Sequence, residues 1–123
     1  MLRTAAPYVL VSDIRRAVRF YGDELGFAYD RLWGDPPTFA MVQRDGVILM
    51  LKESLSDPIP VSAQGGAWDA YVWVEDADAL FEEFAELTVT VEYPPQDFPD
   101  YKMREFAIAD PDDNVIAFGS DLE

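Results

Sequence analysis

The sequence predicts an α+β fold in which one βαβββ module is used twice. Three short stretches that recur in the same order predict it. Tyr8-Val9-Leu10-Val11-Ser12-Asp13 returns as Tyr71-Val72-Trp73-Val74-Glu75-Asp76, both reading Y-V-x-V-x-D, at an offset of 63. Phe39-Ala40 returns as Phe106-Ala107 at an offset of 67, and Val47-Ile48 as Val115-Ile116 at 68. The drift needs only short loop insertions, and self-similarity of this kind marks a repeated supersecondary unit.

Each element has its own local signal. Residues 6–12 alternate as a strand does, with Val9 and Val11 on one face and Tyr8, Leu10 and Ser12 on the other. Asp13, or Ser12 before it, suits the N-cap of the following helix. Ile14, Ala17, Val18, Tyr21 and Leu25 then form one helical stripe, Arg15, Arg16 and Arg19 take the wet side, and Gly26 with Phe27 ends the helix. A strand near 27–33 and a turn at Gly34-Asp35-Pro36-Pro37 lead to a hairpin, Phe39–Gln43 and Val47–Leu51, around Arg44-Asp45-Gly46. Residues 54–66, rich in Ser, Pro and Gly, read as a linker.

The second module repeats the order. A strand over about 67–75 is followed by the N-cap Asp76, and Ala77, Leu80, Phe81, Phe84 and Ala85 make the second helical stripe. Thr88–Tyr93 reads as a short β piece ended by Pro94-Pro95, and Gln96–Lys102 as a loop carrying Phe98 and Tyr101. Arg104–Ala109, a turn at Asp110-Pro111-Asp112-Asp113-Asn114 and Val115–Gly119 close the chain as a hairpin. The modules span about 5–53 and 67–121 of a single 1–123 domain.

Composition narrows the function classes. Half of the 123 residues are hydrophobic and 14% aromatic, enough for a packed core. No run of about 18 apolar residues is present to span a membrane, and the N-terminus lacks a secretory apolar stretch, so the expected location is cytoplasmic. The chain has no cysteine and no histidine, which removes disulfides, thiolate and imidazole ligands, a cysteine nucleophile and a histidine base. The 24 acids and 9 bases are unevenly placed: from Glu75 onward 15 acids stand against Lys102 and Arg104. Such a field repels nucleic acid and anionic membranes and draws cationic partners, although plain solubility accounts for it equally well.

The double βαβββ pattern, with Asp110-Pro111 and Asn114 before the last strand, resembles the vicinal oxygen chelate superfamily, also called the glyoxalase/bleomycin-resistance/dioxygenase fold. Val11-Ser12-Asp13-Ile14, Ala17 with Phe20-Tyr21 through Leu25-Gly26-Phe27, and Arg104-Glu105-Phe106-Ala107 carry the resemblance over essentially the whole chain. Within that superfamily Ala6-Pro7, Arg44-Asp45, Tyr71-Val72-Trp73-Val74 and Arg104-Glu105-Phe106-Ala107 look similar to the bleomycin-resistance proteins, small antibiotic-sequestering dimers. The resemblance implies a homodimer with a swapped first strand hinged near Pro7. The other expectation for Pro7 is a proline entering an edge strand.

Enzymes of that superfamily hold a divalent metal, and their ligand positions carried over fall on Ala6, Leu49, Asp69 and Ala117. Three of these cannot bind a metal, so no metal, no cofactor and no catalytic residue is expected. The same carry-over implies that Tyr71, Trp73 and Glu75, with Tyr8, Leu10, Leu49 and Leu51, face the cup where the enzymes place their metal. Ring faces and carboxylates suit a flat, cationic, partly aromatic molecule such as a bleomycin-like antibiotic. The expected ligand-binding residues are Trp33, Phe39, Asp69, Tyr71, Trp73, Asp100 and Tyr101. Each has a structural alternative: Tyr71 and Trp73 as barrel filling, Phe39 as core by its match to Phe106, Asp69 as a turn residue. Two other functions fit the same residues, a metal-free module for a metabolite or a regulatory partner, and a metal-dependent lyase or dioxygenase.

Overall fold

The computed structural model describes residues 1–122. The chain forms two compact units, Met1–Ile59 and the residues from Pro60 onward, with the boundary inside the linker. Each unit holds one four-stranded sheet with a helix on one face, and the second repeats the first.

In the first unit the elements are β1 (Tyr8–Val11), α1 (Ile14–Arg19), β2 (Leu32–Gly34), β3 (Pro37–Arg44) and β4 (Val47–Glu53), in sheet order β1-β4-β3-β2. β1 pairs parallel with β4 of the same chain, and the remaining pairs are antiparallel. Asp13 caps α1 by accepting from the Arg16 amide at 3.1 Å, and the Glu53 carboxylate takes the Ile14 amide at 3.2 Å. The predicted helical stripe is buried in full, from Ile14 to Leu25. Its second half is a π-helical segment, Phe20–Glu24, closed by Gly26 at φ 77°, where the Phe27 amide reaches back to the Tyr21 carbonyl at 2.8 Å.

In the second unit come β5 (Ala70–Trp73), α2 (Ala77–Ala85), β6 (Thr90–Phe98), β7 (Met103–Ala109) and β8 (Val115–Asp121), in order β5-β8-β7-β6. Asp76 caps α2 through the Ala79 amide at 3.1 Å, and Ser120 Oγ accepts from the Ala77 amide at 3.2 Å, as Glu53 does for α1. Four rings make the centre of this unit. Phe106 lies 5.3 Å from Phe81, 5.9 Å from Phe84 and 5.3 Å from Phe118, the last pair stacked.

Three expectations need correction. β6 does not stop at Pro94-Pro95 but runs through both to Phe98. It is the edge strand of its sheet and its register shifts between Val91 and Gln96, so the missing proline N–H groups cost no regular ladder bond. Leu49 and Leu51 do not face the cup. They pair with Val42 and Ala40, Leu51 also with Val9, and all of these are buried on the α1 side. The residues on the opposite face are Tyr8, Leu10, Phe39, Met41, Met50 and Lys52.

The third correction concerns the repeat itself. Val9 pairs with Leu51, which pairs with Ala40, while Val72 pairs with Phe118, which pairs with Phe106. The position equivalent to Phe106 is therefore Ala40, an offset of 66, and Phe39 corresponds to Glu105. A slip of one residue exchanges the two faces of a strand. Phe39 accordingly lies away from α1, half-buried against Trp33 at 5.5 Å, while Phe106 is core.

Candidate functional site: a carboxylate held by three tyrosines

On the face of the second sheet turned away from α2, the paired positions Tyr71 and Ala117, Trp73 and Gly119, Glu105 and Gly119 bring one carboxylate among aromatic rings. Glu105 is 0% exposed. Its Oε1 accepts the Tyr71 hydroxyl at 2.9 Å and the Tyr101 hydroxyl at 2.8 Å, and its Oε2 accepts the Tyr93 hydroxyl at 2.5 Å. Trp68 Nε1 donates to the Tyr93 oxygen at 3.1 Å, so the chain of donors extends one ring further. Among the described residues no Lys or Arg is ion-paired with Glu105; Arg104, next to it in β7, turns to Asp78 and Asp97. A buried carboxylate without a cation is costly, and three O–H donors offset that cost while fixing the rings that carry them.

The rings form a continuous panel. Trp68 lies 4.8 Å from Tyr71 and 6.5 Å from Tyr101, Tyr71 lies 5.1 Å from Trp73, and Phe98 stacks on Tyr101 at 5.5 Å. Trp73 is 70% exposed and Tyr101 45% exposed, so two ring surfaces are open to solvent while the carboxylate behind them is closed. Gly119 makes room for this: a Cβ there would collide with the Tyr71 hydroxyl and stand 3.0 Å from Met103 Cε.

The three phenols are hard to ionise. Burial of the hydroxyl end and then the bond to Glu105 push Tyr101 up to about 12, and the same causes in the same order raise Tyr71 and Tyr93 further. A phenol with a raised folded pKa contributes stability that is complete below the unfolded value near 10 and is lost as pH rises through the folded value. Spectrophotometric titration of the tyrosines is expected to show Tyr71, Tyr93 and Tyr101 still protonated well above pH 10. Stability should fall across about pH 10–12 as Tyr101 titrates. Loss of the Tyr71, Tyr93 and Tyr101 protons near pH 10 in the folded protein, tracked by substituting each with Phe, would contradict the network.

The seven expected ligand residues are placed as follows. Tyr71, Trp73 and Tyr101 share the panel, and Trp33 and Phe39 form a separate pair in the first unit, with the Arg31 guanidinium 4.6 Å from the Trp33 ring centre. Asp69 serves the fold: its carboxylate accepts from Ser62 Oγ at 2.6 Å, the Ser62 amide at 3.2 Å and the Val115 amide at 2.7 Å. Asp100 is exposed in the turn between β6 and β7. Sequence reasoning missed Glu105, Tyr93, Trp68 and Phe98 as members of one cluster. The available signal was Glu105 itself, a carboxylate directly before the apolar run Phe106–Ala109 of the same strand.

The positions that hold a divalent ion in the superfamily's enzymes do not supply a donor set here. Ala6 and Ala117 have no donor, Leu49 faces α1, and both Asp69 oxygens are engaged. Glu105 meets phenol hydroxyls, and among the described residues no three of His, Cys, Asp or Glu gather as a ligand group. Asp110, the other buried acid of the second unit, caps its hairpin turn by accepting from the Asp112 and Asn114 amides at 2.8 and 2.9 Å.

Comparison with known proteins agrees with this architecture. The family model described as Glyoxalase/Bleomycin resistance protein/Dioxygenase superfamily matches residues 3–118. A bleomycin resistance protein of Geobacillus stearothermophilus is 28% identical over 91% of this chain and 92% of its own. The crystal structure of a bleomycin-binding protein from bleomycin-producing Streptomyces verticillus, complexed with copper(II)-bleomycin, superposes with a TM-score of 0.73 at 31% identity, covering 96% of this chain and 97% of that one. An antibiotic binding protein from Streptomyces sp. CB03234 gives 0.70 at 25% identity, covering 98% of both chains. No helix among the described residues is long and apolar enough to cross a membrane.

Proposed function

The chain belongs to the glyoxalase/bleomycin resistance protein/dioxygenase superfamily, and from that premise we propose that it is a small-molecule binding protein that sequesters a bleomycin-type antibiotic without chemical turnover. The active form is a homodimer, it takes no metal or cofactor of its own, and protection is stoichiometric. One observation carries the proposal: an open tryptophan, Trp73, lies 5.1 Å from the Tyr71 ring at a tilted angle, and Tyr71 is fixed by a carboxylate that no Lys or Arg among the described residues neutralises. An exposed indole on a rigid support offers a flat ligand a stacking surface with little ordering cost. The relatives named for bleomycin give the ligand class.

The chemistry of the panel favours binding over turnover. Its three phenols are held protonated by burial and by their bonds to Glu105, and those bonds occupy the carboxylate, so no activated nucleophile is offered there. A turnover role would require a site elsewhere in the chain.

Tryptophan fluorescence titration with bleomycin tests the proposal. Wild-type protein is expected to show saturable quenching, and Trp73→Ala to weaken binding by about 1–3 kcal/mol, roughly 5- to 150-fold, the range for losing one stacked aromatic at a hot spot. Unchanged affinity in a folded Trp73→Ala protein would remove the panel from the site.

A further inference from the structure

We infer that the second unit is a trap for a single oxidising equivalent: an electron vacancy opened on an exposed ring comes to rest on Tyr93, whose proton passes to Glu105. The inference goes beyond sequestration and is independent of what the panel binds.

Oxidisable rings run without a gap from solvent to the sealed carboxylate. Trp73, 70% exposed, lies 5.1 Å from Tyr71, Tyr71 lies 4.8 Å from Trp68, and Trp68 Nε1 donates to the Tyr93 oxygen at 3.1 Å. Separations of this size are ring contacts, short enough for an electron to pass in one step. In a chain without cysteine, indole and phenol are the side chains that most readily give up one electron.

The end of the path has a base in place. A phenol that loses an electron alone becomes a strongly acidic radical cation, so its oxidation is easy only where a positioned acceptor takes the proton in the same event. Glu105 Oε2 serves Tyr93 alone at 2.5 Å, whereas Oε1 is shared by Tyr71 and Tyr101 at 2.9 and 2.8 Å. Once that proton has moved, Trp68 Nε1 remains as a donor to the Tyr93 oxygen. The Glu105 charge also favours a positive hole on the neighbouring rings, since no Lys or Arg among the described residues is ion-paired with it. At 0% exposure it holds the proton in place for return.

The step balances with a one-electron radical oxidant from solvent. Tyr93–OH, the Glu105 carboxylate and the oxidant become the neutral Tyr93 phenoxyl radical, the Glu105 carboxylic acid and the reduced oxidant. One electron leaves the pair, one O–H bond breaks and one forms. The first unit lacks the device. There Phe39 stands at the position equivalent to Glu105, and Trp33 meets Phe39 and the Arg31 guanidinium, neither of which supplies an electron or accepts a proton.

Azidyl radical made by pulse radiolysis oxidises exposed indoles by one electron and tests the inference on the full chain. The expected record is a tryptophanyl absorption that decays as a tyrosyl absorption rises, at a rate independent of protein concentration. Glu105→Gln is expected to slow that rise by roughly 100-fold, the lower end of the range for a positioned base. Tyr93→Phe, which keeps the ring, is expected to remove most of the persistent tyrosyl signal in electron paramagnetic resonance, and serves if Glu105→Gln does not fold. A tyrosyl rise that scales with protein concentration, no tyrosyl signal in the wild type, or an unchanged signal in folded Tyr93→Phe would each overturn the inference. An unchanged rate in folded Glu105→Gln would do the same.

Discussion

Gly119→Ala is expected to abolish binding of a bleomycin-type ligand and to destabilise the protein by about 1–3 kcal/mol, the usual cost of forcing a methyl into a packed site. Gly119 sits on β8 between Trp73 and Glu105, its partners in β5 and β7. The added Cβ would overlap the Tyr71 hydroxyl, approach Tyr71 Cζ to 2.8 Å and Met103 Cε to 3.0 Å. Tyr71 must swing out, its bond to Glu105 breaks, and the 5.1 Å contact with Trp73 goes with it. Stability is read by urea unfolding and binding by fluorescence titration. A Gly119→Ala protein with wild-type affinity would mean that the Tyr71 position is irrelevant to the ligand.

The second large effect separates the fold from the site. Phe106→Ala is expected to cost about 3–5 kcal/mol, because it empties the centre of a four-ring cluster and the surrounding sheet and helix can close only part of the gap. Phe106 is fully buried between Phe81, Phe84 and Phe118, on the α2 face of β7, one residue away from Glu105 and on the opposite side. Urea unfolding should show a lower midpoint with the slope unchanged. A loss below about 1 kcal/mol would contradict the register that places Phe106 in the core.

Much of the fold is legible because its signals are local. Asp13 and Asp76 each precede a helical stripe, and each caps its helix through the amide three residues on. The Y-V-x-V strands alternate as expected, with Val9, Val11, Ala70 and Val72 inward and Tyr8 and Trp73 outward. The misread register has a simple cause. Phe-Ala occurs once in each module, but an apolar pair matches in either register and does not reveal which face each residue takes; strand pairing does. The prolines of β6 were misleading for a related reason, since whether a missing N–H matters depends on the strand lying at an edge.

The candidate site was only half visible. Tyr71, Trp73 and Tyr101 carry chemistry that a sequence displays, open rings on a strand and in a turn. Glu105 does not. Its meaning depends on hydroxyls 34, 12 and 4 residues away, brought together by a parallel pair, an edge strand with shifted register and a tight turn. Asp69 shows the converse, since a carboxylate facing a cup in sequence is consumed by Ser62 and Val115 in structure.

Stoichiometric sequestration is tested most directly by isothermal titration calorimetry of the wild-type protein with bleomycin, metal-free and copper-loaded, followed by recovery of the drug. The expected result is saturation at one drug per chain, with micromolar or tighter affinity and the drug recovered chemically intact. Absence of saturable heat at high drug concentration, or recovery of a modified drug, would contradict it.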